Sequence, residues 1–133
     1  MFNHILIPIV PGHAAEYSRA AEVAGRLLAP GGVISALAVL EEIPAHVAVH
    51  IPEGIGETKF EDALKDLKSS LDDTVKKYVI EGHTSRSILD WANSKEVDCI
   101  VVSSHSPGFS DYFIGSTAAR VVRHAQCAVV VLR

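Results

Sequence analysis

Aliphatic residues in this chain come in short, nearly unbroken runs, and that pattern limits what it can fold into. Ile5-Leu6-Ile7-Pro8-Ile9-Val10, Val33 to Leu40, Cys99 to Val102 and Ala128 to Leu132 carry apolar side chains at consecutive positions. A strand with one wet face alternates apolar and polar residues. A strand covered on both faces does not, and such coverage is the usual condition of a parallel sheet. Val75 with Tyr78-Val79-Ile80 adds a further strand, ended by Glu81-Gly82.

The stretches between these runs have helical spacing. From His13 to Leu28, Ala14, Ala21, Ala24, Leu27 and Leu28 share a face, with Glu16, Arg19, Glu22 and Arg26 turned outward. Pro30-Gly31-Gly32 is expected to stop that helix before the second strand begins at Val33. Glu57 to Leu71 is amphipathic through Phe60, Leu64, Leu67 and Leu71, and Asp66, Ser69-Ser70 and Asp72-Asp73 read as its solvated end. Thr84 or Ser85 is expected to cap a helix carrying Ile88, Leu89 and Trp91-Ala92. A last helix runs from Gly115 to His124, with Arg120 and Arg123 complementing its dipole. Pro44, Pro52, Gly54 and Gly56 mark 41–56 as an irregular connection. Strands alternating with helices give an α/β domain over 1–133: a doubly wound, five-stranded parallel sheet with right-handed crossovers.

Composition removes several functions. A net charge of −4 gives no broad basic surface for a nucleic-acid backbone. No apolar run approaches the ~20 residues that cross a bilayer, and Met1-Phe2-Asn3-His4 has no basic n-region, so the expectation is a cytoplasmic protein. Cys99 and Cys127 each sit in an apolar stretch and read as free thiols, with a disulfide or metal pair as the alternative. The histidines show no metal-ligand spacing; His46 and His50 are four apart, but in a Pro-bounded loop. No G-x-S-x-G elbow surrounds Ser103, Ser104, Ser106 or Ser110, and no base with an orienting partner is evident. Asp98 precedes the fourth strand, at the wrong end of the sheet for catalysis. The chain is therefore read as a binding protein and not an enzyme.

In an open sheet of this kind ligands bind beyond the carboxyl ends of the strands, where strand order reverses. The loops after the first and fourth strands are the places to look. The second of these, Ser103-Ser104-His105-Ser106-Pro107 onward, runs into a helix at Gly115-Ser116-Thr117. A helix N-terminus presents unpaired N–H groups and favours an anion, which Ser116 and Thr117 could supplement with hydroxyls. Two readings stay open from the residues alone: a phosphate site, or Ser116 serving only as the N-cap.

The block Ile100-Val101-Val102-Ser103-Ser104-His105, Ile114-Gly115-Ser116, Val121-Val122-Arg123-His124-Ala125 and Val129-Val130-Val131-Leu132 resembles the carboxyl-terminal signature of universal stress proteins. Ile5-Leu6-Ile7-Pro8-Ile9 is similar to the family's first strand, so the resemblance covers essentially the whole chain. It implies a Rossmann-like sheet, a stress-response role, and ATP (or AMP or ADP, with Mg accompanying the phosphates) as the ligand, with slow ATP hydrolysis as the upper limit of any turnover. It places phosphates near Ser103, His105, Ser106, Pro107, Gly115, Ser116 and Thr117, and adenosine near Pro8, Ile9, Val10, Val39 and Val102. Family members that bind ATP carry glycines where this chain has Ser103 and Ser106, and an aspartate where it has Val10. Adenine recognition would then rest on backbone groups near Ile9 and Val39. Losing one charge-assisted contact costs about 1.5–3 kcal/mol, roughly tenfold to a hundredfold in affinity.

The resemblance also implies a homodimer through the last strand. The same expectation follows from an apolar edge, Val129, Val130, Val131 and Leu132, that would otherwise stand unpaired. The alternative function is a dimeric signalling or interaction protein of the same fold that binds no nucleotide.

Overall fold

The computed structural model describes residues 1–41, 55–104 and 115–133, with side chains omitted for 55–57. The chain order is β1 (Phe2–Ile9), a 3-10 turn (Ala14–Tyr17), α1 (Ser18–Leu27), β2 (Leu28–Leu40), α2 (Ile55–Ser70), β3 (Val75–Glu81), α3 (Thr84–Ser94), β4 (Cys99–Ser103), α4 (Ser116–His124) and β5 (Ala128–Leu132). The five strands lie in the order β3-β2-β1-β4-β5, and every pairing is parallel. Strand order therefore reverses between β1 and β4, as the alternating pattern requires of a doubly wound sheet.

Both faces of the sheet are covered, which is why the strands read as continuous apolar runs. Ile5, Ile7, Ile9, Ala36, Ala38 and Val101 point to one face, where Ala20 and Ala24 of α1 and Leu67 of α2 close the core. Leu6, Leu37, Val39, Ile100 and Val102 point to the other, against Ile88 and Ala92 of α3 and Ala118 and Val121 of α4. Small residues on α1 let that helix lie close to the strands.

Three expectations change. The helix expected over 13–28 is divided: its first turn is 3-10, and the α-helix spans Ser18–Leu27. Pro30-Gly31-Gly32 lies inside β2, because Leu28 already pairs with Phe2 while His4 pairs with Val33. Two residues of β1 thus face five of β2, and the excess forms a bulge. Glycine suits it: Gly31 has φ +79, and a Cβ on Gly32 would come within 3.0 Å of the Asn3 carbonyl oxygen. Finally, α3 is capped by His83, whose Nδ1 accepts the Arg86 amide at 3.4 Å, in place of Thr84 or Ser85.

Asp66 does more than solvate a helix end. Its Oδ2 accepts the Ala14 amide at 3.0 Å, tying α2 to the start of the 3-10 turn. At the amino end of the sheet, Asp98 accepts the amides of Asn3 and His4, each at 2.9 Å. Burial works against its charged form, but those amides hold its carboxyl below the usual aspartate value. His4 Nδ1 lies 3.0 Å from the Lys95 carbonyl, which can only accept, so that nitrogen carries the proton. Nε2 lies 2.8 Å from the buried Ser35 Oγ and shares a hydrogen bond with that hydroxyl. This corner of the fold is structural, on the far side of the sheet from the strand ends that form a site. The connection expected over 41–56 lies outside the described residues, except for Glu41, Ile55 and Gly56.

Candidate functional site

The carboxyl ends of β2, β1 and β4 converge on a cavity of about 370 Å³, within the range of small-molecule sites. The middle of its floor is Pro8 and Ile9 at the end of β1 and Val10 just after it, before the chain folds back at Pro11-Gly12. Leu37 and Val39, two residues apart on β2, present their side chains to the same side. Val102 and Ser103 line the cavity from β4, and Gly115, Thr117 and Ala118 from the start of α4. Most of this surface is apolar. Polar groups stand at two ends, Glu41 with Thr84 beyond β2 and Ser103 with Thr117 beyond β4, and the Tyr17 hydroxyl stands beside Val10 at the end of β1.

Of the residues singled out from sequence, Pro8, Ile9, Val10 and Val39 meet at the β1–β2 side, and Val102, Ser103, Gly115 and Thr117 at the β4–α4 side. Ser116 does not join them. It faces a separate depression with Ala119, Arg120 and Arg123, because a step of 100° along the helix turns it away from Thr117. His105, Ser106 and Pro107 lie outside the described residues.

Local hydrogen bonding revises two roles. Gly115 is the N-cap of α4, so Ser116 is its first residue and not its cap. The Gly115 amide donates to the Ser104 carbonyl at 2.9 Å, and the Ser104 amide donates to Leu132 at 2.8 Å. The Gly115 N–H is therefore engaged. The amides with no partner within the helix belong to Ser116, Thr117 and Ala118, and these are what α4 can offer an anion. Gly115 has φ −56 and ψ 152, ordinary extended backbone, so glycine is not demanded there by conformation. The Val10 amide is likewise occupied, donating to the Tyr17 hydroxyl at 3.1 Å. Burial raises the pKa of that phenol, so it stays protonated and keeps a proton to donate.

Tyr17, Leu40, Glu41, Thr84 and Ile88 also line the cavity and were not anticipated. Leu40 and Glu41 directly follow Val39, and strand direction alone would have placed them at the carboxyl end. Thr84 and Ile88 reach the site only because α3 crosses behind β2. On the far side of Tyr17 and Ser103, a recess of about 100 Å³ carries Arg19 and Arg133. Arg19 Nη1 donates to the Arg133 carbonyl at 2.7 Å. Among the described residues, no three His, Cys, Asp or Glu side chains gather to hold a metal ion. No described helix is long and apolar enough to cross a membrane.

The model of the universal stress protein family matches residues 1–133. The chain belongs to the universal stress protein family. Universal stress protein G of Shigella flexneri is 32% identical over 59 residues, 44% of this chain and 42% of that protein. The aligned stretch thus spans less than half of that relative. Among solved structures, universal stress protein UspA from Lactobacillus plantarum superposes with a TM-score of 0.67 at 24% identity, covering 98% of this chain and 97% of that one. The universal stress protein from Archaeoglobus fulgidus in complex with dAMP gives 0.60 at 15% identity, covering 97% and 96%. At such identities the superpositions establish the universal stress protein fold, a five-stranded parallel sheet between helices, and leave the ligand to the site's own chemistry.

Proposed function

We propose that this universal stress protein binds an adenine nucleotide, ATP or its shorter forms ADP and AMP, across the carboxyl ends of β2, β1 and β4. The observation that carries the reading is the cavity itself: an apolar trough at the point of strand reversal, ending at a helix N-terminus whose first amides have no partner within the helix. The base and ribose lie over Pro8, Ile9, Val10 and Val39. The phosphates lie toward Ser103, Thr117 and the first amides of α4, with His105, Ser106 and Pro107 following in the chain. A family member in complex with dAMP is consistent with that occupant.

Magnesium fits this site only as a companion of the phosphates. The described residues at the phosphate end offer hydroxyls and no carboxylate, so phosphate oxygens and water would supply its ligands. We read the chain as a cytoplasmic regulatory module without enzymatic turnover. Its occupancy is sensed by a partner copy through β5. The two sheet edges differ in the way that reading needs. The outer edge strand β3 bears Lys76, Lys77 and Glu81, which blunt pairing, whereas Val129, Val130, Val131 and Leu132 of β5 are uncharged and half-buried.

Calorimetric titration of nucleotide-stripped protein with Mg-ATP tests the proposal, repeated with Gly115→Val. The φ and ψ at Gly115 are open to any residue, and valine there adds bulk at the phosphate end; circular dichroism of the variant checks that it folds. Micromolar binding that the variant loses supports the site. No heat up to millimolar ATP would leave the nucleotide-free dimer as the functional unit. The occupied amides of Val10 and Gly115 would be the physical reason.

A further inference from the structure

The cavity has opposite character at its two ends, and one end is unexplained by the phosphate chemistry. Glu41 stands one residue past the end of β2 and lines the cavity. It is the only carboxylate on the wall among the described residues. The Thr84 hydroxyl, at the first residue of α3, donates to Glu41 Oε1 at 2.8 Å. Among the described residues Oε2 has no hydrogen-bond partner, and a carboxylate can only accept. A negative group here would repel phosphates, so it fixes which end of a nucleotide lies at β2.

Strand order gives the distance. β1 lies between β2 and β4, and neighbouring strands are ~4.8 Å apart, so Glu41 and Ser103 stand on strands about 10 Å apart. A purine nucleoside monophosphate with its phosphate at α4 reaches that far, putting its ribose over Val10 and its base over Val39 and Leu40. The group then presented to Glu41 is the outer edge of the base. An acceptor fixed by a second residue is suited to an exocyclic amine and unsuited to an oxo group.

We propose that Glu41, positioned by Thr84, selects the base by accepting a hydrogen bond from the 6-amino group of adenine. The inference rests on the adenine-nucleotide reading above and deepens it. It also supplies a carboxylate to a site whose described β1 end offers the Val10 side chain, an engaged amide and the Tyr17 hydroxyl.

The test compares ATP with purine riboside triphosphate, which has hydrogen in place of the amine, by calorimetry on the native chain and on Glu41→Ala and Thr84→Val. Glu41 is exposed, so its replacement does not threaten the fold. The native chain is expected to prefer ATP by roughly tenfold to a hundredfold. In Glu41→Ala the two ligands should bind within about threefold of each other. Thr84→Val should give an intermediate ratio. The ratio cancels any general gain from removing a negative charge. Equal binding of both ligands by the native chain overturns the proposal while leaving nucleotide binding intact, as does a preference that survives in Glu41→Ala. Tighter binding of GTP than of ATP overturns the adenine assignment, since a carboxylate also suits the N1–H and 2-amino edge of guanine. No binding of any triphosphate overturns the adenine-nucleotide reading and this inference with it.

Discussion

Replacing Asp98 by asparagine isolates one long-range tie and lets its worth be worked out beforehand. The carboxylate joins the start of β1 to the start of β4 through the Asn3 and His4 amides, and its own amide returns a bond to the His4 carbonyl at 3.0 Å. Asparagine keeps one oxygen for one amide but turns an NH₂ group toward the other. A hydrogen bond to a charged group is worth about 1.5–3 kcal/mol. The Asn3 bond is exposed and water replaces it in part, so the expected loss is about 2 kcal/mol. Unfolding entropy of about 2.1 cal/mol/K per residue makes that a fall in Tm of about 7 °C.

The pH dependence carries the sign. Asp98 has a lowered pKa in the folded state, so its contribution is fully present above the ordinary aspartate value of 3.8. It is lost as pH falls below that value through the folded one, because there the unfolded chain binds more protons. Thermal unfolding followed by circular dichroism should therefore show a gap between wild type and Asp98→Asn at neutral pH that closes in acid. A neutral-pH difference under about 0.5 kcal/mol, or a gap indifferent to pH, would refute the reasoning. Nucleotide affinity should not change, because the tie lies at the opposite end of the sheet from the cavity.

Two further outcomes are expected. Burial, with Cys127 nearby as a smaller cause, pushes the Cys99 thiol up to about 11, so an alkylating reagent at neutral pH should modify Cys99 only after denaturation. Rapid stoichiometric labelling of Cys99 in the native protein would contradict that burial. Val130→Lys places a charge on the β5 edge and should convert a dimer to a monomer by sedimentation at tens of micromolar; a monomeric wild type would remove the pairing proposal.

Local sequence determined the elements and the sheet type. Runs such as Ile5 to Ile9 and Cys99 to Val102 are apolar at every position because helices cover both faces, and that requirement is written residue by residue. The location of the site was legible for the same reason: parallel strands carry their carboxyl ends to one side, and reversal of order opens a crevice there. The limits of local reading appear at Pro30-Gly31-Gly32. Those residues look like a helix stop, but the register of β2 against β1 makes them a bulge inside a strand. Ser116 and Thr117 are equivalent in composition, and only the rotation of α4 against the sheet sends one into the cavity and the other away. Glu41 and Thr84 are 43 residues apart, Ala14 and Asp66 are 52, and Asn3 and Asp98 are 95. Periodicity covers a few turns of chain, whereas such pairs depend on which strand lies beside which. Strand order is set by packing both faces of the whole sheet at once, so tertiary structure alone decides that Thr84 holds the Glu41 carboxylate at one end of the cavity while the start of α4 closes the other.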